Sequence, residues 1–216
     1  MRWIFFVLTY FCFFPLNSQI KEGYLRFDVE VISLDTAFLS LQTAKLMRDS
    51  RMMLFFDENR SRVDFKLGNY SATSMRIDFK KDKGISLIAN TEGRFAQKAS
   101  IKQLMLNSES GKLQQLEGEV MALPEFKKIL GYNCQKYILH HQGKNIIYWC
   151  TSEIELTNEV KGLINPRLPY IPLEFSVIEN NFKFIYKLTD ISFNLENKAH
   201  IFSIEPPEGY FLLPNQ

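Results

Sequence analysis

The residues best placed to do chemistry lie in one short stretch, Cys134-Gln135-Lys136-Tyr137-Ile138-Leu139-His140-His141-Gln142-Gly143-Lys144-Asn145-Ile146-Ile147-Tyr148-Trp149-Cys150. Two thiols can pair as a disulfide, thiols with imidazoles can hold zinc, and a thiol beside an imidazole can act as a nucleophile. Two apolar runs flank His141-Gln142-Gly143, and a three-residue hairpin loop favours a left-handed residue at its third position, where Gly143 stands. Across such a hairpin Cys134 faces Cys150. Directly opposed residues of antiparallel strands have Cα atoms about 4.5 or 5.5 Å apart, within the roughly 4.4–6.8 Å that a disulfide spans. Closing this loop of roughly 17 residues would contribute about 3 kcal/mol. A disulfide between Cys134 and Cys150 is therefore predicted, with two free thiols side by side on one face as the alternative.

The metal and nucleophile readings have less behind them. His140 and His141 are adjacent, so on a strand they point to opposite faces and cannot share one ion. The third histidine, His200, is distant in sequence, and short-spaced ligand pairs of the zinc type are absent. A cysteine nucleophile needs a base and a group to orient that base, and neither is indicated. Gly-x-Ser-x-Gly, a glycine-rich phosphate loop and His-Glu-x-x-His do not occur, and the carboxylates are spread along polar strand positions. No catalytic residue, metal ligand or cofactor is predicted. Lys80-Lys81-Asp82-Lys83 reads as a solvated turn, with a lipid-headgroup patch as the alternative.

These residues sit in a chain of 216 residues with three cysteines, 46% hydrophobic residues and a net charge of +2. The length suits one domain with a real core. The near-zero charge argues against a nucleic-acid partner, and the apolar content excludes disorder. At the N-terminus Met1-Arg2-Trp3 precedes an apolar run, Ile4 to Leu16, and then Asn17-Ser18-Gln19. A basic start, an apolar run of about 13 residues and a small residue near its end describe a secretory signal peptide, residues 1–18. The run is shorter than the roughly 20 residues of a membrane span, and an uncleaved anchor is the alternative. Cleavage removes Cys12 and leaves an even pair, Cys134 and Cys150, in a compartment that permits disulfides. Residues 19–216 are expected to form a single β-rich domain, exported to the periplasm or cell surface and not transmembrane.

Period-two alternation dominates that domain. Leu25, Phe27, Val29 and Val31 alternate with charged residues, and so do Val63, Phe65 and Leu67, Met75, Ile77 and Phe79, and Phe182, Phe184, Tyr186 and Leu188. Ile191 to Leu195, then Phe202 and Ile204, read as two final strands. Helix is scarce: one segment from Asp35 to about Met47, capped by Asp35, and a second near Thr157 to Leu163. The expected fold is mainly β (α+β), a curved antiparallel sheet or open half-barrel of about ten or eleven strands with one or two short helices. A curled alternating sheet presents a concave apolar face, which Met53, Phe55, Phe65, Phe175 and Phe184 would line. Two functions follow from that shape. One is a non-enzymatic module holding an apolar, lipid-like ligand; the other is an envelope structural or interaction protein with no small-molecule ligand, its partner another envelope protein at an exposed sheet edge.

Several motifs extend this reading. Leu46 to Phe56 with Asn59 to Val63, Gly131-Tyr132-Asn133-Cys134-Gln135-Lys136-Tyr137, Ile147 to Ile154, Leu168 to Phe175 and Pro207-Glu208-Gly209-Tyr210 resemble small exported Bacteroidetes proteins of the GLPGLI-related, function-unknown type. The GLPGLI string itself is absent, with Leu168 to Leu173 in the corresponding place. The resemblance implies a LolA/LppX-like, lipoprotein-carrier-like plan, a curved antiparallel sheet wrapped round helices. In such a source Asp35-Thr36-Ala37 would also resemble that phylum's O-glycosylation acceptor, with Thr36 as the site. Intact-mass measurement of the exported chain is expected to find Gln19 as its first residue; retention of Met1 to Ser18 would identify an anchored form instead.

Overall fold

The computed structural model describes residues 20–107, 116–141 and 143–214. The predicted signal peptide lies outside the described residues. In chain order the elements are β1 (Gly23–Ser33), α1 (Phe38–Leu46), β2 (Ser50–Phe56), β3 (Arg60–Leu67), β4 (Ser71–Asp78), β5 (Lys83–Asn90), β6 (Gly93–Ala99), α2 (Ile101–Asn107), β7 (Glu119–Ile129), β8 (Tyr132–His141), β9 (Lys144–Thr151), α3 (Asn158–Gly162), β10 (Ile171–Glu179), β11 (Phe182–Ser192), α4 (Lys198–Ile201) and β12 (Phe211–Leu212). The strands form one open sheet in the order β12-β6-β5-β4-β3-β2-β1-β11-β10-β9-β8-β7. All neighbours are antiparallel except β12, which lies parallel to β6. The chain begins mid-sheet, meanders out to β6, crosses to the far edge at β7 and meanders back until β11 closes against β1.

Alternation decides which face is buried. On β1, Leu25, Phe27 and Val29 are buried while Arg26, Asp28 and Glu30 face water. Tight turns keep neighbours adjacent: Asn180 and Asn181 both take positive φ, 46° and 65°, as a two-residue hairpin of primed type requires. Asp57 Oδ1 accepts from the backbone N–H of Asn59 and Arg60, which holds the β2–β3 turn.

The inner face encloses an aromatic stack. Phe175 lies parallel to Tyr186, with centroids 4.4 Å apart, and Tyr148 and Phe27 flank it at 5.7 and 6.0 Å. The segment between β9 and β10 fills one half of this face with Ile154, Leu156, Val160, Leu163, Ile164 and Leu168, all buried. On the other half Leu104 of α2 rests on Gly84, where a Cβ would stand 2.7 Å from the Leu104 Cδ1. The outer face carries a smaller core of Ile85, Leu87 and Ala96, covered by Ile204 and Tyr210 of the C-terminal segment. That segment is gripped by arginines: Arg76 Nη1 donates to the Ser203 carbonyl at 2.9 Å, Arg62 Nη1 to that of Ile201 at 3.4 Å, and the Arg60 guanidinium stands 4.8 Å over the Phe202 ring.

The mainly β architecture matches the expectation, with differences in detail. Among the described residues there are twelve strands. β7 was not anticipated because Pro124 interrupts an apolar run without clean alternation; it is tolerated because β7 is an edge strand whose register shifts between Ala122 and Phe126. β11 runs on to Ser192, and Phe202 and Ile204 belong to the C-terminal segment rather than to strands. Four short helices are present among the described residues, against one or two expected. α3 starts as expected, Thr157 Oγ1 accepting from the Val160 N–H. α1 does not: Ala37 is its N-cap, while Asp35 accepts from the Ala37 N–H and the Ser40 hydroxyl ahead of the helix.

Phe175 joins both halves of the inner face, so Phe175→Ala is expected to cost about 3–5 kcal/mol in urea unfolding. A loss below about 1 kcal/mol would mean that the stack is peripheral.

Candidate functional site

The sheet curls far enough to bring strands that are not neighbours into contact. β3 and β11 are separated by β2 and β1, three spacings of about 4.8 Å each, yet the rings of Phe65 and Tyr186 lie 6.2 Å apart. Between β3–β5 on one side and β10–β11 on the other lies a cavity of about 520 Å³ on the concave face. Its apolar lining includes Met52, Val63, Phe65, Met75, Ile88, Val177, Phe184 and Tyr186. Thr73 and Ser86, on the neighbouring strands β4 and β5, add hydroxyls to the β-sheet wall. Leu104 of α2 packs at the end of β4 and β5 remote from the β3–β4 turn. The other end is framed by Met47 after α1, by Tyr70 and Ser71 at the β3–β4 turn, and by Glu179 and Asn180 at the β10–β11 turn. Gly68 makes that frame possible: its φ is +52°, and a Cβ there would sit 2.1 Å from the Leu46 carbonyl oxygen. The Asn69 N–H donates to the same carbonyl at 2.9 Å.

The five residues proposed as lining divide three ways. Phe65 and Phe184 line the cavity. Phe175 lies behind it, buried in the aromatic stack. Met53 and Phe55 face the opposite side of the sheet, and their assignment is corrected: Phe55 pairs with Tyr24, whose ring is 6.0 Å away, and lies 5.4 Å from the Arg62 guanidinium. Met52 to Phe56 is a continuous apolar run, so its composition does not say which parity faces inward. The pairing of Met52 with both Phe27 and Phe65 does. Met52 was missed for the same reason; Val63 and Tyr186 share the parity of Phe65 and Phe184 on strands that alternate, which was the signal available for them, and Met75 stands opposite Val63.

The cysteine hairpin also needs correction. Its register pairs Gln135 with Cys150 and His141 with Lys144, one residue away from the pairing expected. Cys150 therefore stands opposite Gln135 rather than Cys134, while both thiols belong to the same buried core. Both are free, buried thiols and no disulfide joins them. Burial pushes the Cys134 thiol up to about 11 and also raises that of Cys150, opposite to what a nucleophile needs. The phenol of Tyr148 is likewise raised by burial, to about 12. His140 and His141 are held separately: His140 Nδ1 lies 2.7 Å from Asn145 Oδ1, and His141 Nδ1 lies 2.6 Å from the Glu117 carbonyl. Among the described residues no group of His, Cys, Asp and Glu is arranged to hold a metal, and no helix is long and apolar enough to cross a membrane. The Lys80–Lys83 run forms the β4–β5 turn at the end remote from Tyr70, with Lys81 paired to Asp78 at 3.2 Å. Thr36 is exposed just before α1.

No family model matches the chain, and no curated protein matches it. Among solved structures it is similar to PNGF-II in the C2 space group, at TM-score 0.45 and 11% identity over 88% of this chain and 30% of that one. The P21 form gives TM-score 0.44 and 11% identity over 89% of this chain and 31% of the other, so the chain spans about a third of PNGF-II. A weak structural neighbour is a LolA superfamily protein from Nitrosomonas europaea, at TM-score 0.24 and 9% identity over 85% of this chain and 90% of that one.

The thiols give a direct check. In native protein at neutral pH neither Cys134 nor Cys150 should react with a thiol reagent, and both should react after unfolding without reductant. Because their pKa values are raised, native labelling should stay slow up to the pH of an ordinary thiol and rise only toward pH 11 for Cys134. Two thiols that stay unreactive after unfolding would mean that a disulfide had formed.

Proposed function

We propose that this chain is an exported, non-enzymatic protein that binds an apolar, lipid-like ligand such as an acyl chain in the cavity on the concave face of its sheet. The cavity carries the reading. Protein interiors leave few voids larger than a water molecule, and about 520 Å³ lies within the range of small-molecule sites. Its wall suits such a ligand: Met52, Met75 and Met47 are flexible and polarizable, while Phe65, Phe184 and Tyr186 supply rigid apolar area. The apolar run at the N-terminus and the motif resemblance to exported Bacteroidetes proteins support the exported setting. The exposed Thr36 is available as an O-glycosylation site in that setting.

The alternative, an envelope structural or interaction protein working through a sheet edge, has less in its favour. The β7 edge is broken by Pro124 and a register shift, devices that discourage strand addition, and β12 already lies against β6 at the other edge. Phe126 on β7, 68% exposed, is the feature that keeps this reading worth testing.

Native mass spectrometry of the purified protein is expected to show a co-purifying lipid, and a fluorescent fatty acid should be taken up. Thr73→Trp places an indole in the cavity and should weaken uptake at least tenfold, the equivalent of about 1.4 kcal/mol, while leaving the thermal midpoint near that of the parent. Protein that is consistently empty and takes up no probe would sink the proposal.

A further inference from the structure

We infer that the open end of the cavity is a docking surface for a negatively charged lipid bilayer, from which the ligand enters. This rests on the reading of the cavity as a lipid site and adds how that site is loaded. Exposed apolar side chains scattered singly are ordinary, but a group of them around one opening is not. Tyr70, Ile178 and Ile88 line the cavity and are nevertheless 50%, 47% and 39% exposed. Leu46, 54% exposed, is fastened beside Tyr70, because its carbonyl accepts the Asn69 N–H at 2.9 Å. Leu34, 53% exposed, is fastened on the other side of the opening, its N–H donating to the Asn181 carbonyl at 2.7 Å. The collar thus joins α1, the β3–β4 turn and the β10–β11 turn around the entrance.

Two further observations select a bilayer over a protein as the occupant. The first is continuity. An acyl chain that passes through water exposes each methylene in turn, whereas a collar seated among headgroups offers an unbroken apolar path from bilayer to cavity. The second is charge. Lys45 and Arg48, both exposed, flank Leu46, and the exposed Lys66 stands at the end of β3 two residues before Gly68. Against them in the run from Lys45 to Arg51 stands only Asp49, while Glu179 lines the opening on the β10 side. A polybasic fringe beside apolar side chains is the pattern that seats on anionic lipid.

The test is sedimentation of the whole chain with vesicles of phosphatidylcholine, alone or mixed with phosphatidylglycerol. Binding is expected to rise with the phosphatidylglycerol fraction and to fall at least tenfold in the double variant Leu46→Glu with Ile178→Glu, since burying one leucine is worth that factor or more. Arg48→Glu should flatten the dependence on phosphatidylglycerol. Phe126→Glu, which changes a still more exposed apolar residue on β7, should bind as the parent does. Circular dichroism checks that each variant is folded; if the double variant unfolds, Leu34→Glu alone serves the same test. Vesicle binding that ignores the collar substitutions, including binding through the N-terminal apolar run, overturns the inference. So does collar-dependent capture of an envelope protein without vesicle binding. A chain that takes up a soluble fluorescent fatty acid but binds no vesicles removes the docking surface and leaves the cavity reading intact. A chain that binds vesicles through its collar but never holds lipid keeps the surface and removes the cavity reading.

Discussion

The pairing of β1 with β11 is the contact on which the rest depends. It runs from Tyr24 opposite Ser192 to Ser33 opposite Phe182, with one shift between Arg26 and Phe27. It joins residues between 149 and 168 positions apart, so the entropy of closing that loop has to be met before the contact returns anything. Without it the chain would hold two separate meanders, β1 to β6 and β7 to β11, each with an apolar face only partly covered by its own connecting segments. With it, Val29 stands opposite Tyr186 and Val31 opposite Phe184, and the two apolar faces become one. The right-handed twist of the combined sheet then turns that face inward on itself.

Closing the sheet does not fill it. On the β8–β10 side, the segment from Ile154 to Leu168 supplies a full layer of aliphatic side chains, and Phe175 is held between Tyr148 and Tyr186. On the β3–β5 side the wall carries Thr73 and Ser86, small and hydroxylated, where larger apolar residues would be needed to meet β11 across the gap. α2 reaches only the end near Gly84. The aromatic stack is thus the partition between a packed half and an open half. The open half is a property of the residues that line it, because the same sheet in its other half shows what packing to the usual density looks like.

Legibility in the sequence followed the same division. β1 alternates apolar with charged residues, so its buried face could be read directly, and Phe65 and Phe184 could be placed because their own strands alternate too. Met53 and Phe55 could not, since every position from Met52 to Phe56 is apolar and only pairing with β1 fixes the parity. The cysteines were misplaced by one residue for a related reason: a hairpin's register depends on the conformation of its turn, and a slip of one moves every side chain to the other face. Pro124 hid β7, because proline argues against a strand except at an edge, and edges are assigned by topology rather than by local sequence. The collar of the cavity was out of reach altogether. Leu34, Leu46, Tyr70 and Ile178 come from four places in the chain, and only the fold makes them neighbours.

The two ends of the sheet differ in chemistry, and the meander explains how. In an antiparallel sheet successive turns fall at alternate ends, so each end is written by every second turn. Of the two turns next to Leu104 and Gly84, one holds Asp57 and Arg60 in a charged pair and the other is the lysine-rich run from Lys80 to Lys83. Both pair their charges within the turn. At the opposite end, the β3–β4 turn carries Tyr70 and is braced by α1, while β10 brings Ile178 to its own turn. Gly68 is what lets α1 come so close, since a side chain there would collide with the carbonyls of Leu46 and Arg48. A sheet built only to be stable would gain by placing charge at both ends. This one uses a left-handed glycine to bring a helix bearing exposed leucines up to the cavity on its concave face.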